Sequence, residues 1–226
     1  MLAKVEKGMG LLTMLLMAIA IYLVFSWVPN EKVMGPVQKI FYFHVSSAWI
    51  GFFAFFVVFI TGILYLVTRD TRWDKWSAAS AQIGLLFTTI VIITGPIWGR
   101  SAWGAWWTWD PRLTTTLILW FIYTAYLVVR ASITEAEQRR RLSAIFGIVG
   151  FLDVPIVWFS ISWWNTIHPK VVSKTGMAIS LKMLVTLLVS VAAFTALYCW
   201  LLPRIYRIES IQERLEVLKE EVRRTR

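Results

Sequence analysis

Apolar residues run along this chain in blocks too long for the strands or amphipathic helices of a water-soluble domain. Six blocks reach or approach the ~20 residues a helix needs to cross a hydrocarbon core: residues 9–28, 45–68, 77–98, 113–129, 142–164 and 177–202. The pattern predicts an all-α polytopic integral membrane protein with six transmembrane helices. After Pro203 the pattern changes: Ile208, Ile211, Leu215, Leu218 and Val222 recur at alternating spacings of three and four among charges. That period predicts a cytoplasmic amphipathic helical tail over 204–226, set apart from a membrane domain over 1–203. Two heptads are too few to decide between a coiled-coil seam and a helix lying on the membrane surface, and both readings stand. The sequence shows no internal repeat and no low-complexity segment.

Composition agrees with the pattern: 58% of the 226 residues are hydrophobic and 16% charged, far from soluble globular usage. The net charge of +10 does not point to nucleic acid, because the Lys and Arg punctuate apolar runs and form no single soluble patch. Their distribution instead sets an orientation. On the six-span pattern, 16 of the 23 Lys and Arg fall at the N-terminus, in 69–75, in 130–141 and in the tail. The other side holds Lys32, Lys39, Arg100, Arg112, Lys170 and Lys174, with Lys182 able to snorkel there. The cytoplasmic side carries the excess, so both termini are expected to be cytoplasmic. Lys4 and Lys7 before an apolar run resemble a signal peptide, but the run is too long and no small-residue cleavage site follows before Pro29, so it is read as an uncleaved first span. Cys199 is the single cysteine, which excludes an intrachain disulfide or a Cys-x-x-Cys redox pair.

This topology puts three loops outside, at 29–44, 99–112 and 165–176, and both histidines, His44 and His168, fall on that side. The middle segment, WGRSAWGAWWTWDPR over 98–112, holds five tryptophans in fifteen residues. Indoles separated by small residues can build a flat apolar platform for a planar ligand, and a porphyrin is one. A thick interfacial aromatic belt is the competing reading. Asp110 followed by Pro111 is how a helix begins, with Asp as N-cap and Pro at the first helical position. Arg100 and Arg112 suit haem propionates, since guanidinium binds carboxylate bidentately, but they also suit plain flanking cations. Imidazole is the commonest protein ligand of haem iron, and two histidines can fill both axial positions. His44 fits a helix that begins near Pro36, whereas His168 precedes Pro169 and is restricted to extended or turn geometry. Asp153, in the middle of the fifth block and two residues before Pro155, is read as hydrogen-bonded beside a proline break, because one isolated acid makes no proton relay.

The segment WGAWWTWDPRLT over 103–114 resembles the tryptophan-rich WWD signature of haem-handling proteins of cytochrome c maturation, and with this length and six spans the chain resembles the CcmC family. FYFHVSSAW over 41–49 and VPIVWFSISWWNTIHP over 154–169 are similar to that family's two histidine-bearing segments, with Ser46 standing where proline is expected. The resemblance implies that His44 and His168 are axial ligands of haem b iron and that Trp103, Gly104, Trp106, Trp107, Trp109 and Asp110 form the haem platform. It implies transfer of haem from the periplasmic face of the inner membrane to the chaperone CcmE, with CcmA, CcmB and CcmD as partners. No enzymatic activity is expected.

Two other classes compete. A small b-type cytochrome working with quinone normally carries its histidines within the spans, and the predicted spans contain none. A solute transporter needs several polar or charged residues within the spans, and only Asp153 stands near a membrane centre. There is no G-x-x-x-x-G-K-[ST] loop, so energy for export has to come from another chain.

Overall fold

The computed structural model describes residues 2–32, 34–168, 172–173, 176–177 and 179–225. Pro169, Lys170 and Lys174, and the side chain of Lys4, which enter the sequence argument, lie outside the described residues. Helix α1 (Leu2–Tyr22) ends in a π turn, Leu23–Trp27. A 3-10 turn, Pro36–Lys39, feeds α2 (Ile40–Thr68). Then come α3 (Thr71–Trp103), α4 (Pro111–Ser132), α5 (Ala136–Phe151) and α6 (Asp153–Trp163). A two-residue antiparallel ladder of β1 (Val172–Ser173) and β2 (Gly176–Met177) precedes α7 (Leu181–Arg224). Among the described residues six segments are long and apolar enough to cross a membrane, as the hydropathy pattern predicts. The protein is a multi-pass membrane protein.

The departures from the sequence reading have identifiable physical causes. The fifth crossing is two helices, α5 and α6, broken at Leu152. Pro155 has no N–H for the carbonyl of Phe151 and its ring clashes there, and at the break the chain tightens to an i→i−3 bond, Leu152 N–H donating to Val149 O at 3.1 Å. Asp153 begins α6 at this break, and its buried Oδ2 has no hydrogen-bond partner among the described residues, so the bond expected of that oxygen is not made. The third helix runs five residues past its apolar block, to Trp103, so the first half of the tryptophan segment is helical. Pro203 does not end the last helix: α7 runs through it, and the tail continues the sixth crossing. There Arg204 donates to Trp200 O at 2.6 Å and lies over the Trp200 ring.

Helix α2 is the centre of the bundle, packing on α3, α5 and α7, while α1 packs on α7 and α4 on α6. Small residues let the backbones close. A Cβ on Gly84 would stand 2.5 Å from Phe55, and one on Gly147 would stand 2.6 Å from Val58, so glycine admits α2 to both neighbours. Phe55 stacks on Tyr123 in a buried cluster with Val58, Leu119, Tyr126 and Val157. At the end holding both termini, charge does the joining. Arg130 grips Asp74 bidentately at 2.6 and 2.8 Å and approaches Glu209 of α7 at 3.7 Å. Glu213 takes Lys75 at 2.6 Å and Arg140, Glu216 takes Arg139 at 3.3 Å, and Arg207 pairs with Glu6 of α1. The acidic face of the α7 extension is thereby turned onto the bundle, and Ile208, Ile211, Leu215, Leu218 and Val222 stay exposed.

Removing one partner of a buried ion pair strands the other, which costs about 3–5 kcal/mol. Asp74→Asn should therefore lower stability by about 3 kcal/mol in an SDS unfolding titration. Arg72→Ala, whose pair with Asp70 is exposed, should cost under about 1 kcal/mol. Equal shifts for the two variants would contradict a clamp centred on Arg130.

Candidate functional site

At the end of the bundle opposite the termini lies a largely apolar cavity of about 250 Å³, whose lining includes His44, His168, Trp98, Trp103, Trp107 and Arg112. Each arrives on a different kind of support. Pro36 opens the 3-10 turn that leads into α2, so His44 is helical and stands inside the Pro36–Thr68 crossing. A helix beginning near Pro36 and carrying His44 is what the sequence predicts. Because the apolar block begins only at Val45, the block alone leaves His44 outside the span, and the structure corrects the expectation that the spans hold no histidine. His44 Nδ1 lies 2.9 Å from Thr94 Oγ1 on α3. Thr94 itself escapes sequence reading, being one threonine in an apolar helix with no motif around it.

His168 lies on the segment after α6, with no helix to hold it, and its place is set by Asp110. That carboxylate caps α4, accepting from Arg112 N–H at 3.0 Å, as the sequence predicts. It also accepts from the Thr166 hydroxyl at 2.9 Å and from Ile167 N–H at 3.0 Å, and the Thr166 oxygen accepts from His168 N–H at 3.0 Å. Asp110 is buried, only 8% exposed, so these bonds form with little competition from water. One carboxylate thus joins the tryptophan loop, the start of α4 and the histidine segment. The Trp103 and His168 rings lie 6.2 Å apart.

The tryptophans form no flat sheet. Gly104 ends α3 with φ +76°, a left-handed turn that glycine adopts without strain, and Arg100 turns back to donate to Gly104 O. Trp98 and Trp103 then meet edge to face at 5.5 Å, and Trp107 and Trp109 do so at 5.8 Å. Trp98, Trp103 and Trp107 wall the cavity, with Trp98 Nε1 donating to Gln38 at 3.2 Å. Trp106 and Trp109 are 61% and 76% exposed and stand outside the lining, as do Arg100, Gly104 and Asp110. Arg112 lines the cavity while donating to the α6 carbonyls of Val157 and Trp158 at 3.3 and 3.4 Å. Trp158 of α6 and Trp49 of α2 are further lining residues outside the tryptophan segment.

Chemically, the cavity offers two imidazoles, indole walls and one guanidinium. That set suits a flat apolar ligand with a metal at its centre and an acidic edge.

The family model described as heme exporter protein C matches residues 1–223. A heme exporter protein C from Bradyrhizobium diazoefficiens is 33% identical over 219 residues, covering 96% of this chain and 83% of that protein. A putative cytochrome c biosynthesis ccmC-like mitochondrial protein of Marchantia polymorpha is 36% identical over 180 residues, covering 79% of this chain and 76% of its own length. The heme exporter protein C of Haemophilus influenzae is 31% identical, covering 93% of this chain and 86% of that protein. Matched across nearly its whole length, this chain belongs to the CcmC, or heme exporter protein C, family.

Proposed function

We propose that this protein holds haem b at the periplasmic face of the inner membrane and passes it to the chaperone CcmE for c-type cytochrome biogenesis. The observation that carries the reading is that both histidines of the chain line one indole-walled cavity. His44 and His168 serve as axial ligands, Trp98, Trp103 and Trp107 cover the porphyrin, and Arg112 uses its remaining donors on a propionate. Arg100, turned to Gly104 O, is not needed there. Gly104 and Asp110 shape the site from behind, and Trp106 and Trp109 present indole outward, where a haem-accepting partner has to approach. The orientation rests on the Lys and Arg excess at the end carrying both termini. Haem is cargo on this reading and no bond is cleaved. CcmA and CcmB, with CcmD, supply what a chain lacking a nucleotide-binding loop cannot.

His44→Ala and His168→Ala, each purified with its haem, should lose haem or change the low-spin spectrum of the iron. If both retain wild-type haem content and spectrum, bis-histidine ligation is wrong. Asp110→Asn should keep much of the helix cap but weaken the grip on Thr166 and Ile167. A buried hydrogen bond to a charged group is worth about 1.5–3 kcal/mol. The His168-side ligation should therefore become heterogeneous, read as mixed spin states, with little change at His44. Co-expression with CcmE should load that partner with haem in a manner dependent on Trp107 and Asp110. Rapid quinol oxidation by the isolated haem-loaded protein would favour a small b-type cytochrome, a reading that His44 within a crossing helix keeps in play.

A further inference from the structure

We infer that Thr94 is a positioning residue that fixes the tautomer of His44, so that Nε2 and not Nδ1 is the nitrogen offered to haem iron. The inference rests on the proposed ligand role of His44. A threonine hydroxyl has one hydrogen and two lone pairs. The Thr94 hydrogen is already committed, because Oγ1 lies 2.7 Å from Ile90 O one turn back on α3, and a carbonyl only accepts. What Oγ1 presents to His44 Nδ1 at 2.9 Å is therefore a lone pair. Two lone pairs at that distance repel, so Nδ1 bears the hydrogen and donates. Neutral imidazole carries one N–H, which leaves Nε2 with its lone pair free, on the far side of the ring from Thr94.

Two consequences follow. The ring is held at both ends of its reach, by its own helix and by α3, so it is oriented before cargo arrives. A donor bond from the distant nitrogen also increases the electron-donating power of the ligating one, and loss of such a partner typically costs about 10–100-fold in metal affinity. His168 has a backbone restraint through Thr166 and Asp110.

The test reads the tautomer without haem. In haem-free protein with ¹⁵N-labelled histidine, ¹H–¹⁵N correlation spectra on a His168→Ala background isolate His44, and the wild-type residue should be the Nδ1–H form. Thr94→Val keeps the shape but has no lone pair, and should shift His44 towards the Nε2–H form that free imidazole side chains favour. Thr94→Ser should restore the wild-type spectrum. In haem-loaded protein, Thr94→Val should weaken haem affinity about 10–100-fold and alter the low-spin EPR g values, with Thr94→Ser again close to wild type. An Nε2–H signal in the unaltered protein, or a Thr94→Val protein with unchanged tautomer and EPR spectrum, overturns the inference. Failure of the ligand reading is separate: it shows as a His44→Ala protein with unchanged spectrum, whatever Thr94→Val does.

Discussion

The Asp110 carboxylate is the constraint on which the rest of the site depends. Membrane helices are held apart or together by close packing and by polar groups that have no water to turn to. The tryptophan loop and the segment carrying His168 are not held by helical structure of their own. The tryptophan loop after Gly104 is short, and the segment after Trp163 is irregular. Asp110 supplies what packing does not, binding Arg112 N–H, the Thr166 hydroxyl and Ile167 N–H with two oxygens. The helix cap and the cross-loop tie are one interaction, so the position of α4 and the position of His168 cannot vary independently.

Arg112 extends the same link. Its backbone N–H is on Asp110 while its side chain reaches the carbonyls of Val157 and Trp158. The start of α4 is thereby bound to α6 on one side and to the chain leaving α6 on the other. The break at Leu152 makes this useful: because Pro155 interrupts the fifth crossing, α6 is a short helix whose place depends on its contacts with α4 and less on continuity with α5. At the opposite end Arg130 and its acidic partners fix the helices, so each end of the bundle is closed by polar bonds around an apolar middle.

Much of this was legible in the sequence, for identifiable reasons. Crossing helices follow from apolar length alone, and six are present. The Asp110–Pro111 cap is a local signal and needs no tertiary knowledge. Helix ends were less legible, because hydropathy marks the apolar block and not the hydrogen-bonded helix: His44 and Trp103 are helical but lie beyond the blocks that predict them. Pro203 suggested a boundary, yet α7 continues through it with its acidic face held by Arg130, Lys75, Arg139 and Arg140, a tertiary cause that period and composition do not contain. The five tryptophans could not be sorted by sequence either. Which indoles face the cavity is decided by the left-handed turn at Gly104, after which Trp107 points in and Trp106 and Trp109 point out.

The two histidines sit on different kinds of support, one on a packed helix and the other on an irregular segment. Moving His44 requires disturbing α2, which packs on three other helices. The backbone of the His168 segment is tied to the start of α4 by hydrogen bonds through Asp110 and Thr166, each worth about 0.5–3 kcal/mol net. A local opening of that size is accessible while the fold stays intact. Trp106 and Trp109 stand exposed on the tryptophan loop that also supplies Trp107 to the cavity wall. In the proposed function His44 would hold its ligand from a packed helix, and His168 from a segment whose backbone is tied to the start of α4 through Asp110 and Thr166.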